Sequence, residues 1–358
     1  MKHYGDCQLP DALPITRVAV ATEPEMLDPV PGLRMELPGF EPRFVDFPDY
    51  IFRITDDIWH KRDLAYIEDC YTENCQIHTQ TGLIVGAETV IANTAATLKS
   101  FPDRRLDADN VIWSRDPDAE GDLFYSSHRI TSKMTNSGPS EFGPATGREV
   151  RVTTFADCAV RNNCIFEEWL VRDYGAMVIQ MGQDPGVIAE KLAIEDRESG
   201  FSLHEHHAAN RRNMDGSRAS FETDAELLVK RLLESGWSDH SLYDFRARGD
   251  YPYGDSLYGP DQIGTYRDTW LSGFEDVRLR ADHVCEVPYI GDAVDVALRW
   301  SMTARHTIDG RYGKATGETV YILGISHFRI LNGVIREEAT LWDDIGLMRM
   351  IEGIRLGQ

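Results

Sequence analysis

Five side chains of this sequence could exchange protons with a substrate near neutral pH. They are three histidines and two aspartates: His78, His128, His306, Asp173 and Asp343. A histidine titrates near neutrality, and a carboxylate in an apolar cavity has its pKa raised because burial disfavours the charged form. Such groups can remove a proton next to a carbonyl or from a phenol. We therefore interpret them as candidate catalytic residues.

Four aromatic side chains could hold a substrate beside these groups: Trp169, Tyr251, Tyr253 and Trp300. Apolar rings suit a flat, cyclic ligand, and a tyrosine hydroxyl can donate a hydrogen bond to an oxygen that gains charge. The set predicts a substrate-binding site for a hydrophobic aromatic or cyclic small molecule.

Each candidate also has a structural interpretation. Asp173 and Asp343 stand just before a short terminal helix, where an aspartate can cap the helix instead of acting as a catalyst. The histidines are also consistent with hydrogen-bonded residues of the core or rim, and Trp169 and Trp300 with core residues. The sequence leaves both interpretations open.

An internal repeat organises these residues. Shifting the chain by 170 residues aligns 121–177 with 291–347 without a gap, and a shift of 173 aligns the region upstream. The aligned pairs include Glu167–Glu168 with Glu337–Glu338, and Asp173 with Asp343. So long a register, with one short length difference, predicts a duplicated domain.

In each copy, the sequence pattern predicts helices followed by four strands. Helical apolar spacing covers 48–71 and 224–236, and a further helix follows Gly86 and Gly259. Four strand-like stretches come next in the first copy, near 105–114, 122–135, 148–160 and 164–173. This order predicts an α+β fold. We expect two tandem cone-shaped domains, each a curved antiparallel sheet wrapped on helices with an open mouth.

The repeat also predicts domain boundaries. They are an N-terminal arm at 1–46, a first domain at 47–183, a linker at 184–222 and a second domain at 223–358. The linker opens with a predicted helix at 185–198 and continues into a polar stretch that contains His204, His206 and His207.

Strand alternation assigns side chains to the inside of each cone, because neighbouring residues point to opposite faces. In 294–306 the even positions are apolar and end at His306, and the matching face of the first copy carries His128. His78, on the first strand of the first copy, is a third candidate for this interior. Tyr251 and Tyr253 stand near the corresponding position in the second copy.

The last hairpin of each copy extends this assignment. Asn-Gly at 332–333 is typical of a type I′ turn, and the register it predicts pairs Phe328 with Glu337 and His327 with Glu338. The second pair then lies on the back of the sheet. By the same parity, Trp169 and Asp173 face the interior of the first cone.

The chain resembles the nuclear transport factor 2-like superfamily, and more closely its polyketide-cyclase (SnoaL-like) branch. The motifs that carry the resemblance are Trp59, Tyr71, Ile77–His78, Gly86–Glu88, Ala145–Gly147, Phe328–Glu338 and Trp342–Leu347. It spans 48–182 and 224–354, and the resembling cyclases use the position of Asp173 as an acid–base group. The second copy departs from the pattern at Tyr251–Tyr253, where the first has His78–Gln80.

The resemblance implies cofactor-independent acid–base catalysis. We expect a lyase or cyclase that eliminates, makes or breaks carbon–carbon bonds, and a lignin-derived diarylpropane is one candidate substrate. An epoxide hydrolase or isomerase in the same pocket is an alternative, and a non-catalytic binding or assembly module is another. Because relatives dimerise through the back of the sheet, the two copies could form an internal pseudo-dimer, and a homo-oligomer is open.

The composition limits the classes of binding partner and the cellular location that we expect. A net charge of -22 and a sequence pI near 4.9 argue against nucleic acid and anionic membranes as partners. Six cysteines without zinc-finger spacing suggest reduced thiols. Because no apolar leader or membrane span is visible, we expect a cytoplasmic protein. The histidines at 204–207 lack a second ligand cluster, so we predict no metal and no cofactor.

Overall fold

The computed structural model describes residues 3–4, 7–8, 35–116, 119, 122–213 and 219–358. Most of the predicted arm at 1–46, Gly121 of the repeat and the end of the predicted polar linker stretch therefore lie outside the described residues. Two compact units are present. The first lies within 1–79, 83–170 and 286–294, and the second within 80–82, 171–285 and 295–358.

The first unit is built on helices that precede a sheet. Its helices are α1 (Phe47–Thr55), continued by a π-helical turn (Asp56–His60), α2 (Ile67–Cys70) and α3 (Ala87–Ser100). Its strands are β1 (His3–Tyr4), β2 (Cys7–Gln8), β3 (Tyr71–Thr79), β4 (Gly82–Val85), β5 (Arg105–Asp116), β6 (Leu123–Thr135), β7 (Glu149–Arg161) and β8 (Cys164–Arg172). The last few residues of β8 and the first of β4 belong to the second unit.

The sheet of the first unit has six strands in the order β4-β3-β8-β7-β6-β5. β5, β6 and β7 pair antiparallel, whereas β3 runs parallel to β8. Helix α1 begins at Asp46, whose carboxylate accepts a hydrogen bond from the backbone N–H of Asp49 at 2.7 Å. Its apolar side chains pack against the sheet around Phe124 and Val160, which forms the main core of this unit.

The second unit repeats this order after three additional helices. Its helices are α4 (Tyr174–Gln180), α5 (Pro185–Ser199), α6 (Leu203–Asn213), α7 (Asp224–Glu234), α8 (Gly259–Leu271) and α9 (Asp344–Arg355), with 3₁₀ turns at His240–Leu242 and Pro252–Gly254. Its strands are β9 (Tyr243–Tyr251), β10 (Asp255–Tyr258), β11 (Phe274–Pro288), β12 (Val294–His306), β13 (Thr319–Leu331) and β14 (Val334–Trp342). The end of β11, from Glu286, and Val294 of β12 belong to the first unit. They form a second six-stranded sheet in the order β10-β9-β14-β13-β12-β11.

These two sheets confirm the predicted α+β fold class and fit its two-domain arrangement. The helix predicted at 224–236 is α7, which opens with a reciprocal capping box between Thr223 and Glu226. The predicted helix at 185–198 is α5. It starts at Asp184, whose side chain accepts from the backbone N–H of Val187, and ends at Gly200 in the left-handed region.

The predicted register of the last hairpin is wrong beyond its turn. Asn332 and Gly333 do adopt positive φ, as a type I′ turn requires. A β-bulge between Arg329 and Ile330 then shifts the pairing by one residue, so Phe328 faces Glu338 and His327 faces Ala339. Because a one-residue slip exchanges the two faces of a strand, Glu338 lies on the inner face and not on the back of the sheet.

Candidate functional site

His128 lies inside the first unit, on the face of the sheet that the helices cover. It sits on β6 between Val111 of β5 and Ala156 of β7. Its ring meets the Phe52 ring of α1 edge to face, with centroids 5.6 Å apart. The side chain is only 3% exposed, so solvent hardly reaches it.

Three polar atoms of β6 and β7 on this face have no hydrogen-bond partner among the described residues. They are Oγ of Ser126, Nε2 of His128 and Oγ1 of Thr154, which lies on β7 opposite Ile130. Burial lowers the pKa of His128 to about 3, so its imidazole is neutral at physiological pH. A buried polar group without a partner costs about 1–3 kcal/mol. Such groups mark places where a ligand or water completes the hydrogen bonding.

A buried carboxylate lies on the same inner face of the first unit. Glu168, on β8, is 6% exposed and accepts a hydrogen bond from the Tyr71 hydroxyl at 3.1 Å. Burial, and then the charge of Glu168, raises the pKa of Tyr71 well above its ordinary value. The same two causes raise the pKa of the Cys158 thiol, so the sulfur stays protonated. The parity predicted for the last hairpin put Trp169 inside and so put Glu168 on the back of the sheet; that parity came from a register that is wrong in the second copy.

His78 and Trp169 do not face this interior, contrary to the prediction. They pair across β3 and β8, and their rings stack with centroids 5.3 Å apart. Nε2 of His78 lies 2.9 Å from Oε1 of Glu167. Leu170 packs against the inner cluster of Leu106, Ile130 and Ala156. Its neighbour Trp169 therefore points to the outer face.

Asp173 and Asp343 both cap helices. Asp173 accepts hydrogen bonds from three backbone N–H groups: Ala176 at 2.9 Å, Tyr253 at 3.0 Å and Gly254 at 3.2 Å. Burial raises its pKa to about 6, although these bonds partly oppose the shift. Asp343 accepts from the backbone N–H of Gly346 at 3.0 Å. These contacts therefore support a helix-capping role for both residues.

The predicted substrate residue Tyr251 is instead part of a buried ion pair in the second unit. Its hydroxyl donates to Glu338 at 3.0 Å, and the Tyr243 hydroxyl donates to the same carboxylate at 2.6 Å. Arg267 and the Thr340 hydroxyl complete the coordination of Glu338. The guanidinium and the carboxylate are each almost fully buried. Tyr251 is therefore a structural donor to a saturated carboxylate.

Trp300 belongs to an aromatic core of the second unit. Its indole N–H donates to Ser326 Oγ at 3.0 Å. Its ring lies 4.5 Å from that of Trp237 and 6.4 Å from that of Trp270, measured between centroids. A Cβ at Gly324 would collide with this indole. Large rings thus fill the space between the second sheet and its helices.

Tyr253 and His306 lie elsewhere in the second unit. The Tyr253 hydroxyl donates to Oδ2 of Asp344 at 2.7 Å, and the Tyr312 hydroxyl donates to Oδ1 at 2.7 Å. His306 is buried beside the rings of Phe274 and Tyr312, and its Nε2 has no partner among the described residues. Burial, and then the charge of Arg355, lowers the pKa of His306.

No metal-binding cluster of three or more His, Cys, Asp or Glu side chains occurs in the part of the chain that the structure describes. The histidines at 204–207 lie at the start of α6. His204 Nε2 is 2.8 Å from the carbonyl oxygen of Thr319, and His207 Nε2 is 2.7 Å from that of Gln80. These two side chains therefore anchor α6 to backbone groups. Within the described residues, no helix is both long and apolar enough to cross a membrane.

Residues 49–181 match the sequence model of the family described as SnoaL-like polyketide cyclase. This match supports a SnoaL-like domain of the nuclear transport factor 2-like kind in that segment, which contains His128 and Glu168. A comparison with curated proteins found no match.

Solved structures of several similar proteins align with part of the chain. One is described as "Putative SnoaL-like polyketide cyclase" from Jannaschia sp. CCS1, at 21% identity and a TM-score of 0.32 over 38% of this chain and 96% of its own. Another is IdmH, "a putative polyketide cyclase" from Streptomyces antibioticus, at 22% identity and a TM-score of 0.31 over 37% and 96%. A third is AclR, "a putative hydroxylase" from Streptomyces galilaeus, at 19% identity and a TM-score of 0.30 over 38% and 87%.

Proposed function

We propose that the protein is a cofactor-independent acid–base enzyme whose active site is the interior of the first unit. The carrying observation is the buried, neutral His128, whose Nε2 has no partner among the described residues. Native proteins rarely leave such a group unsatisfied, and a bound substrate oxygen would satisfy it. The match of 49–181 to the SnoaL-like family adds support.

The two repeats differ at the positions that would form this site. By the 170-residue offset, His128 corresponds to Leu298 and Thr154 to Gly324. Ile130 corresponds to Trp300, whose indole occupies the space above Gly324. The first copy therefore has polar groups and smaller side chains where the second has a tryptophan. This contrast supports the first unit as the site of chemistry and the second as a structural copy.

The chemistry follows from the neutral state of His128. A neutral imidazole can donate one hydrogen bond and accept another, so it can polarise a carbonyl or hold a phenol oxygen without a full charge. The Thr154 hydroxyl can add a second hydrogen bond to the same region. Donors held in a dry interior stabilise the charge that develops on an oxygen in an enolate-like transition state.

We infer that the substrate is a hydrophobic aromatic or cyclic small molecule, and that the reaction is of the lyase or cyclase type. The aromatic and aliphatic lining around His128 supports a substrate of this polarity. A lignin-derived 1,2-diarylpropane-1,3-diol is the specific candidate. Loss of formaldehyde and water would convert it to a stilbene, with one carbon–carbon and one carbon–oxygen bond broken and no net oxidation.

A chromogenic probe tests the site before the natural substrate is known. Removal of a proton from 5-nitrobenzisoxazole opens its N–O bond and releases a coloured cyanophenolate, and needs only a base in an apolar pocket. We expect wild-type protein to accelerate this reaction, and His128→Leu to lower kcat/KM by about 100-fold. His306→Leu is the matched control, because it also removes a buried histidine. A loss confined to His306→Leu would place the site in the second unit and contradict the proposal.

The diarylpropane assignment has its own assay. Wild-type protein is incubated with a 4-hydroxylated 1,2-diarylpropane-1,3-diol, and formaldehyde and stilbene are measured together. Equal amounts of both products, lost in His128→Leu, would support the assignment. Turnover of the chromogenic probe with no release of formaldehyde would refute this substrate but leave the acid–base site in place.

A binding or assembly module is the second candidate, and the filled aromatic interior of the second unit favours it for that unit. Protein that accelerates neither reaction, yet binds an aromatic ligand with an affinity that His128→Leu weakens, would support a binding role over catalysis.

A further inference from the structure

We propose that Ser126 is a specificity residue of the first unit that binds a second oxygen of the substrate, an inference that rests on the proposed function. The ligand class that fits this arrangement is a para-hydroxyaryl compound, with its reacting oxygen at His128 and its phenolic oxygen at Ser126. Ser126 lies on β6, two residues before His128, and is 3% exposed.

Ser126 shares the inner face of β6 with His128. Successive side chains of a strand alternate between its two faces, and β6 pairs with β7 without interruption from Phe124 to Thr135. Phe124, two residues before Ser126, belongs to the main apolar core of this unit. Ser126 therefore points inward, as Phe124 and His128 do.

The Ser126 hydroxyl is available to a ligand. Its Oγ atom is buried and has no hydrogen-bond partner among the residues that the structure describes. Its polar neighbour on β7 is the Cys158 thiol, and a thiol is only a weak donor and a weak acceptor. On the other side, β5 places Trp113 opposite Ser126, and this ring supplies an aromatic surface beside the hydroxyl.

The second copy shows that the fold does not require polar groups at these positions. By the 170-residue offset, Ser126 corresponds to Val296 and His128 to Leu298, both on β12. Both of these apolar side chains are fully buried. A buried hydroxyl without a partner destabilises a fold. Its presence only in the copy that carries the proposed site therefore favours a role in binding.

The positions of Ser126 and His128 set the spacing of the two substrate oxygens. Residues two apart on a strand are separated by about 7 Å, and their side chains project from the same face. Thr154 lies on the other side of His128, because it pairs with Ile130, so its hydroxyl belongs to the reacting end. A benzene ring with oxygen-bearing substituents at opposite ends spans such a distance, whereas oxygens on neighbouring ring carbons lie much closer together.

A para-hydroxyaryl ketone, aldehyde or benzylic alcohol meets these requirements. His128 and Thr154 hold the reacting oxygen, and Ser126 holds the phenolic oxygen at the far end of the ring. The para oxygen is conjugated with the reacting carbon. A hydrogen bond at Ser126 therefore also acts on the charge that develops during the reaction.

The experiment measures binding to the full-length protein of three aryl ketones that differ only in a phenolic hydroxyl. They are 4-hydroxyacetophenone, 3-hydroxyacetophenone and acetophenone. Dissociation constants are measured by isothermal titration calorimetry at pH 6, where the phenols are uncharged, for wild type, Ser126→Ala and Ser127→Ala. Ser127→Ala is the matched control, because Ser127 is adjacent and buried but faces the other side of the sheet. Circular dichroism and thermal melting establish that each variant is folded.

We expect wild-type protein to bind 4-hydroxyacetophenone about 10-fold more tightly than acetophenone, which is the gain from one buried hydrogen bond. The meta isomer should gain less than about threefold, because its hydroxyl does not reach Ser126. Ser126→Ala should bind the para isomer and acetophenone equally, whereas Ser127→Ala should keep the full preference. The comparison of isomers in wild type tests the spacing without any substitution.

Three results would overturn the inference: a para preference that persists in folded Ser126→Ala, a stronger preference for the meta isomer, or no binding of any of the three ketones to wild type. If 5-nitrobenzisoxazole is turned over in a His128-dependent manner while the para preference is absent, the proposed function stands and the role of Ser126 is refuted. If the para preference depends on Ser126 but the probe is not turned over, the binding role stands and the catalytic function is refuted.

Discussion

Breaking the buried ion pair of the second unit should be severely destabilising. Arg267→Met removes the guanidinium but keeps much of the side-chain volume. It leaves Glu338, which is 2% exposed, without its positive partner. Removing one member of a buried pair costs about 3–5 kcal/mol, because an uncompensated charge remains in a medium that solvates it poorly. Tyr243 and Tyr251 still donate to the carboxylate, so we expect a loss near 3 kcal/mol.

The assay is urea denaturation at pH 7, followed by circular dichroism and by tryptophan fluorescence. Arg248→Met is the control, because its side chain forms a 2.9 Å pair with Asp250 in which both partners are largely exposed. Such a pair contributes about 1 kcal/mol at most. The double variant Arg267→Met/Glu338→Gln should recover most of the lost stability, since it leaves no buried charge behind.

The reasoning would be refuted if Arg267→Met cost less than about 1 kcal/mol, within the range of an exposed pair. It would also be refuted if the double variant were less stable than Arg267→Met. The first result would mean that water reaches Glu338. The second would mean that the pair stabilises the fold by more than the neutralisation of one buried charge by another.

Three further predictions concern single positions. The pKa of His128 in the folded protein, about 3, lies below its unfolded value of 6.5, so the unfolded state binds more protons between these values and stability falls as the pH drops through this window. When the pH is lowered from 7 to 5, the free energy of unfolding of His128→Leu should therefore rise by about 2 kcal/mol relative to that of wild type. If the urea midpoints of the two proteins differed by the same amount at both pH values, the result would contradict the burial of an uncharged ring. The pKa of Asp173 shifts the opposite way, because its folded value of about 6 exceeds 3.8. The contribution of Asp173 to the stability of the fold is therefore most favourable below pH 4 and falls as the pH rises to 6. Asp173→Asn should abolish this pH dependence in urea titrations. Gly324→Ala should destabilise the protein by about 2 kcal/mol, because the new methyl group overlaps the Trp300 indole, and a melting temperature equal to that of wild type would show that the ring can move aside.

The pattern of elements could be predicted from the sequence because the repeat doubled every signal. The helix at 224–236 and the turn at Asn332 depend on local chemistry and lie where the pattern indicated. The helix predicted at 48–71 is interrupted between His60 and Ile67. Those signals extend over a few residues, and the two copies reinforce one another. The α+β class follows from their order alone.

The orientation of the last strand could not be predicted, because it depends on one extra residue. The bulge beside Arg329 is invisible to an argument that counts outward from a turn. It reverses the assignment of Glu338, and with it the parity by which Trp169 was placed in the interior. A usable signal was present in the paired glutamates at 167–168 and 337–338: on a strand, one of two adjacent residues must face inward.

Some residues of the candidate site could be placed from local patterns, and others could not. His128 lies on the predicted face because β6 pairs with β7 without interruption over twelve positions. The sequence left capping open for Asp173 and a core position open for Trp300. Tertiary contacts decided between the interpretations, such as the turn at Tyr253 for Asp173 and, for Tyr251, an arginine on a distant helix.

The most direct test of the account is a crystal structure of the protein soaked with 2-cyano-4-nitrophenol, the product of the chromogenic reaction. The account predicts the phenol inside the first unit, with its oxygen within hydrogen-bond reach of His128 Nε2 and its ring against Phe52. A ligand bound in the second unit, or an empty first unit in crystals of protein that turns over the probe, would contradict the central claim.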